Sequence, residues 1–88
     1  MTTYLLYNRD TPGERSMEAL AKRLADEEQV DPELLDADSP RGIQLAENYD
    51  LMGRPAVLLV RDDGSPVKAW QGADDMPAPG EVGYLSRQ

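Results

Sequence analysis

Apolar residues recur along the chain with two different periods. Thr3-Tyr4-Leu5-Leu6-Tyr7-Asn8 is aromatic and aliphatic on both faces, the pattern of a central strand covered on both sides. Arg9 and Asp10 end it. Met17, Leu20, Ala21 and Leu24 then fall at the spacing of one helical face. Thr11-Pro12-Gly13-Glu14 opens that helix. Threonine suits the N-cap and proline the first helical position, and Glu14, three after the cap, predicts a capping box. Glu18 and Lys22 are spaced for an ion pair one turn apart, and the helix runs out around Glu28.

The second half of the pattern begins with a short strand over Glu33 to Ala37, where Pro32 suits a strand start or an edge. Ser39-Pro40 repeats the cap-and-proline signal, opening a helix that turns Leu45, Ala46 and Tyr49 inward and ends at Tyr49. Asp50 to Arg54 connects it to Pro55, which heads a strand over Ala56 to Arg61. Proline cannot donate to a sheet ladder, so it belongs at the strand's first position, and an Xaa-Pro bond there is open to the cis form. Asp62-Asp63-Gly64-Ser65 has hairpin-turn composition. Pro66 to Gln71 is an edge strand in which Val67, Ala69 and Gln71 alternate with Lys68 and Trp70. The proline- and glycine-rich tail predicts only a short, frayed helix from about Gly80, with Trp70 and Tyr84 assigned to packing and tail docking. The order is β-α-β-α-β-β-α with one right-handed crossover. At 88 residues the chain is a single domain, 1–88.

Composition narrows the function more than the fold. The chain has no Cys and no His. Disulfides, thiolate nucleophiles, zinc sites of the Cys/His kind and imidazole acid–base catalysis are therefore excluded. Nine Lys and Arg stand against 17 Asp and Glu, a net charge of −8. Binding to nucleic-acid phosphates or to an anionic membrane surface needs basic clusters, and none is present. No apolar run is long enough to span a bilayer. The N-terminal residues lack a signal-peptide pattern, so the expectation is a soluble, cytoplasmic protein without a cofactor. Asp36 and Asp38 with Asp62 or Asp63 could hold a divalent ion, but they lie in different loops without a calcium-loop spacing and read as solvated turn residues.

Ala46-Glu47-Asn48-Tyr49-Asp50-Leu51-Met52-Gly53-Arg54-Pro55 resembles the thioredoxin segment in which an alanine and a tyrosine three apart precede an apolar residue, a glycine and the cis-proline. Ala56 to Val60, Asp63-Gly64, Val67 and Gln71-Gly72-Ala73 continue it in register, so the resemblance covers roughly Tyr4 to Ala73. It implies a thioredoxin-like α/β fold with a four-stranded mixed sheet flanked by helices. It also implies a redox site at the start of the first helix, facing the cis-proline, where a helix N-terminus lowers a cysteine's pKa. Thr11-Pro12-Gly13-Glu14 falls on that motif in one register; Gly13 and Ser16 take the cysteine positions in the other. Both registers lack thiols, so the catalytic residues of the family do not carry over.

Two narrower resemblances stand beside this one. Gly72-Ala73-Asp74-Asp75-Met76 is similar to the glycine-rich, double-aspartate turn with which glutaredoxins hold the α-amino group of glutathione, although Arg54 replaces the small or β-branched residue usual before the proline. Asp10-Thr11-Pro12 to Leu24 is similar to the opening helix of the cysteine-free KaiB-type clock proteins. The expected function is a non-catalytic protein- or peptide-binding module, using Thr11, Pro12, Gly13, Glu14, Arg15, Arg54, Pro55, Ala56, Asp74 and Asp75. A glutathione-type ligand site and a clock-type partner binder are the alternatives. Asp10, Glu14, Arg15 and Arg54 are expected to cluster at the tip of the first helix, either as a recognition patch or as a cap with a surface ion pair. The oligomeric state is left open.

Overall fold

A computed structural model describes residues 1–88. Strands β1 (Thr2–Tyr7), β2 (Glu33–Asp36), β3 (Ala56–Val60) and β4 (Pro66–Gln71) form one sheet, and helices α1 (Pro12–Glu28), α2 (Pro40–Asn48) and α3 (Pro79–Ser86) cover it. The sheet order is β2-β1-β3-β4, with β1 and β2 parallel and the other two pairs antiparallel. This is the mixed sheet and element order of the thioredoxin fold. β1 and β3 are the inner strands, and all five residues of β3 are buried. Pro66 stands on the edge strand β4, where a missing N–H leaves no ladder bond broken.

Alternation along the inner strands sorts the core into two layers. Leu5, Val57, Leu59 and Trp70 face α1 and α3, meeting Met17, Leu20, Leu24 and Val82. Leu6, Leu35, Ala56, Leu58 and Val60 face the other way with Leu51, and Leu45, Ala46 and Tyr49 pack against them. Strict alternation fails in β4. Leu59 pairs with Lys68 but Val60 pairs with Pro66, leaving Val67 as the extra residue of a bulge. A bulge bends its strand, and Val67 packs with Trp70 against the first layer. The Lys68 ammonium lies 5.1 Å from the Trp70 ring centre.

Several local expectations change. Thr11 is the N-cap of α1, but its hydroxyl donates to Asn8 O at 2.6 Å and caps no helical N–H. Glu14 reaches back to accept from Asp10 N at 2.9 Å, one residue short of the cap. Asp10 turns through the left-handed region, with φ 59°, and that turn moves its amide into the place a capping-box carboxylate serves. Glu18 and Lys22 do not pair. Lys22 bonds Asp26 and Arg23 bonds Glu27, each one turn onward. These pairs are exposed and contribute little. Strands β1, β2 and β3 end one residue earlier than expected, and α2 ends at Asn48 with Tyr49 as its cap. The Ser39 cap of α2 forms as expected, accepting from Gly42 N at 3.0 Å.

The largest correction is the tail. Helix α3 is docked rather than frayed: Val82 is 0% exposed inside the first layer. Gly83 lets α1 approach, since a Cβ there would lie 2.0 Å from Glu28 Oε1. Arg87 closes the contact by donating to that same oxygen at 3.0 Å. Tyr84, assigned to docking from sequence, is 61% exposed. On this helix the residue two before it, not the aromatic, meets the core.

Candidate functional site

The Arg54–Pro55 peptide bond is cis, at the head of β3. The first turn of α1 lies directly against it. A Cβ on Gly13 would stand 3.3 Å from Pro55 Cδ and 3.5 Å from Pro55 Cβ, so only a residue without a side chain fits without displacing the ring. This contact brings Thr11, Pro12, Gly13 and Glu14 beside the cis-proline.

The loop before the proline is pinned from three sides. Gln71 Oε1 accepts from Met52 N at 2.6 Å and from Gly53 N at 3.0 Å. Gly72 N donates to Pro55 O at 2.9 Å. Arg54 Nη1 donates to Leu51 O at 2.8 Å and to Gly53 O at 2.9 Å. The guanidinium thus folds back on its own loop instead of joining Asp10 and Glu14. The expected cluster is divided accordingly. Asp10, Thr11, Pro12, Glu14 and Arg15 line a polar cavity of about 360 Å³ at the helix tip, while Arg54 lines a separate groove beside α2. Gln71 was missed from sequence. As an amide at the end of an edge strand it has no distinctive pattern; only the fold places it under the loop.

The remaining residues fall as follows. Pro55 and Ala56 are buried, and Ala56 opposes Leu6 on one side and Gln71 on the other. Its backbone therefore lies between two strands. Arg54 differs. Neither its N–H nor its C=O takes part in any backbone or side-chain hydrogen bond of the chain. Asp74 and Asp75 are exposed on a single 3-10 turn, Ala73–Asp75, that follows Gly72. Their carboxylates carry no ion pair, and Gly72 joins them to the loop through its bond to Pro55 O.

Chemically, the helix tip offers a hydroxyl, two carboxylates and a guanidinium. The Thr11 proton is directed to Asn8 O at 2.6 Å and to neither carboxylate of the cavity, Asp10 or Glu14. No three Asp or Glu residues are close enough to share a metal ion. Asp36 instead faces Arg9 at 3.8 Å and Asp62 pairs with the N-terminal ammonium. Asp63 is held below the usual carboxylate range by hydrogen bonds from the Ser65 amide and hydroxyl.

The Gln71 contact makes a direct prediction. Gln71→Leu keeps the side chain's bulk and removes the acceptor, so two loop amides lose their partner at a cost of about 1 kcal/mol. Hydrogen exchange at Met52 and Gly53 is expected to accelerate while Val57 to Leu59 stay protected. Unchanged exchange at both glycine and methionine would show that the loop is held by other means.

No protein-family model matches the chain, and no curated protein matches it in sequence. Among solved structures it is similar to thioredoxin 1 from the thermophilic eubacterium Thermosipho africanus TCF52B, with a TM-score of 0.68 over 99% of this chain and 91% of that one. The identity is 14%, so the likeness establishes the fold and nothing finer. The second half forms the β3–β4 hairpin and closing helix of that fold.

Proposed function

We propose that this cysteine-free thioredoxin fold is a non-catalytic docking module that binds an extended segment of a partner protein at the cis-proline loop. The observation that carries the reading is the backbone of Arg54. Its N–H and C=O have no partner within the chain, and the loop around them is already held by Gln71, Gly72 and the Arg54 guanidinium. A rigid loop with a free donor and acceptor at the head of a strand suits pairing with an incoming chain, which gains main-chain hydrogen bonds without needing a thiol. Pre-organisation lowers the ordering cost of such binding. Met52, 87% exposed beside the loop, offers apolar contact for alternate side chains.

The test is to pan a random-peptide library on the immobilised domain and titrate the enriched peptides into labelled protein. The Arg54 amide is expected to shift downfield and gain exchange protection as its N–H acquires an acceptor. Peptides that bind while leaving Arg54 unmoved would refute strand pairing. Millimolar glutathione serves as the comparison. Saturable shifts at Arg54, Asp74 and Asp75 with glutathione alone would replace the peptide reading by the small-ligand one.

A further inference from the structure

Helix α2 carries a second face that the fold does not use. Leu45, Tyr49 and the inner side of Ala46 pack on the sheet. Ile43, Ala46 and Glu47 fall at i, i+3 and i+4 on one helical face. With Leu51 and Met52 this face lines an open groove of about 430 Å³, and Asp50, two residues beyond the last helical residue, borders the same groove. Its lining combines apolar Ile43, Leu51 and Met52 with the acids Glu47 and Asp50, and with Arg54, whose guanidinium is engaged by the carbonyls of Leu51 and Gly53. Ile43 is 47% exposed and Met52 is 87% exposed, whereas Glu47 and Asp50 form no ion pair and no side-chain hydrogen bond.

Two features of these acids run against the stability of the isolated domain. Both lie at the C-terminal end of α2, where the helix dipole favours cations, and the last turn of α2 has no basic residue. Asp50 also occupies the position just after the C-cap with φ 54°, a left-handed site where Gly or Asn is the ordinary choice. Unpaired acids at the negative end of a helix, beside exposed Ile43 and Met52, are complementary to a partner that brings aliphatic and basic groups together.

We infer that the α2 groove binds a partner-protein segment whose aliphatic side chain sits against Ile43 and Met52 while its Lys or Arg residues meet Glu47 and Asp50. This deepens the docking reading above by naming the partner's chemistry at the surface next to Arg54. Net charge of −8 adds long-range attraction for such a segment, so binding weakens as salt screens the rim.

The probe is the acetylated, amidated peptide GSKLRLKSG, with GSELELESG as its acidic counterpart. Titrated into methyl-labelled protein, the basic peptide is expected to shift the Ile43 and Met52 methyl resonances saturably, and the acidic one is not. The double variant Glu47→Gln, Asp50→Asn removes both charges and keeps the left-handed site on a residue that tolerates it. It should melt at the same temperature or higher, yet bind about tenfold more weakly. Met52→Ser, at a position that is 87% exposed, should leave the melt unchanged and weaken binding as well. Absence of saturable methyl shifts, equal response to both peptides, or undiminished affinity in the double variant overturns the inference. Movement of the Arg54 amide with silent methyls would uphold strand pairing and refute the groove. Moving methyls with a silent Arg54 would do the reverse.

Discussion

Gly42→Ala is expected to lower the melting temperature by about 10–15 °C, corresponding to roughly 2 kcal/mol in a domain of this size. The sign is not obvious from propensity, because alanine is favoured over glycine in a helix by about 1 kcal/mol. Geometry decides it. Gly42 is in the first turn of α2, and a Cβ there would lie 2.0 Å from Asp36 O, 2.9 Å from Asp36 C and 3.0 Å from Ala37 Cα. All three are main-chain atoms. Asp36 O also accepts from Ser39 N at 3.0 Å and from Ser39 Oγ at 2.6 Å, and Ala37 N bonds Tyr7 O at 2.7 Å. The backbone cannot retreat without breaking the cap of α2 or the end of β2, an overpacking cost of about 3 kcal/mol that outweighs the helical gain. Gly80→Ala is the control. Its Cβ would meet nothing nearer than Glu28 Oε2 at 4.0 Å, so that variant should melt no lower than the parent. Thermal melts of the two proteins check the pair. Equal melting temperatures would mean that α2 can lift off β2 freely.

Val82→Asp is expected to be at least as damaging, with a loss of about 4 kcal/mol near neutral pH. Val82 is 0% exposed and packs in the layer of Met17, Leu20, Leu24 and Trp70. Substitution removes about 1.5–3 kcal/mol of apolar burial and places an unpaired carboxylate in the core, which adds several more. The total is capped by the alternative of undocking α3, which exposes the α1 side of the same layer. Burial raises the folded-state pKa of the new carboxyl above its unfolded value. The charge penalty is therefore complete above the folded pKa, shrinks as pH falls through it, and vanishes below the ordinary carboxylate range of about 4. Denaturant titrations near pH 7 and near pH 4 should show a larger deficit at the higher pH. Tyr84→Asp should change stability by less than about 0.5 kcal/mol at either pH, since that ring is 61% exposed. Similar small effects for both substitutions would mean that the tail is frayed after all.

These two expectations mark where sequence reading succeeds and fails. The inner strand at Ala56–Val60, the cap at Ser39 and the edge position of Pro66 follow from apolar runs, hydroxyl placement and a missing N–H. Each is a property of a few adjacent residues, so each is legible. The tail was misread because proline and glycine composition argues for fraying, while the glycines at positions 80 and 83 act differently: one is open to space and the other admits Glu28. From sequence the Arg54 guanidinium is expected to join Asp10, Glu14 and Arg15 at the tip of α1. It turned inward because the loop carbonyls of Leu51 and Gly53 converge within reach, a placement with no local sequence signal. The groove along α2 was partly legible, since Ile43, Ala46 and Glu47 already share a helical face. Its exposure depended on which face the sheet took.

Element order, a central strand covered on both faces and the absence of thiol chemistry follow from the residues alone, because periodicity, capping residues and the absence of Cys act locally or absolutely. Assembly of the sheet and helices sets the rest: Gly13 abuts Pro55, Gln71 holds the loop amides, Arg54 braces its own loop, and the Arg54 backbone stays unpaired. The Gly13 and Gln71 contacts join residues 18 to 42 positions apart, while the Arg54 bonds reach only one and three residues back and depend on how the loop is bent. Their energies come from close approach and burial, quantities that exist only once the sheet and helices are assembled.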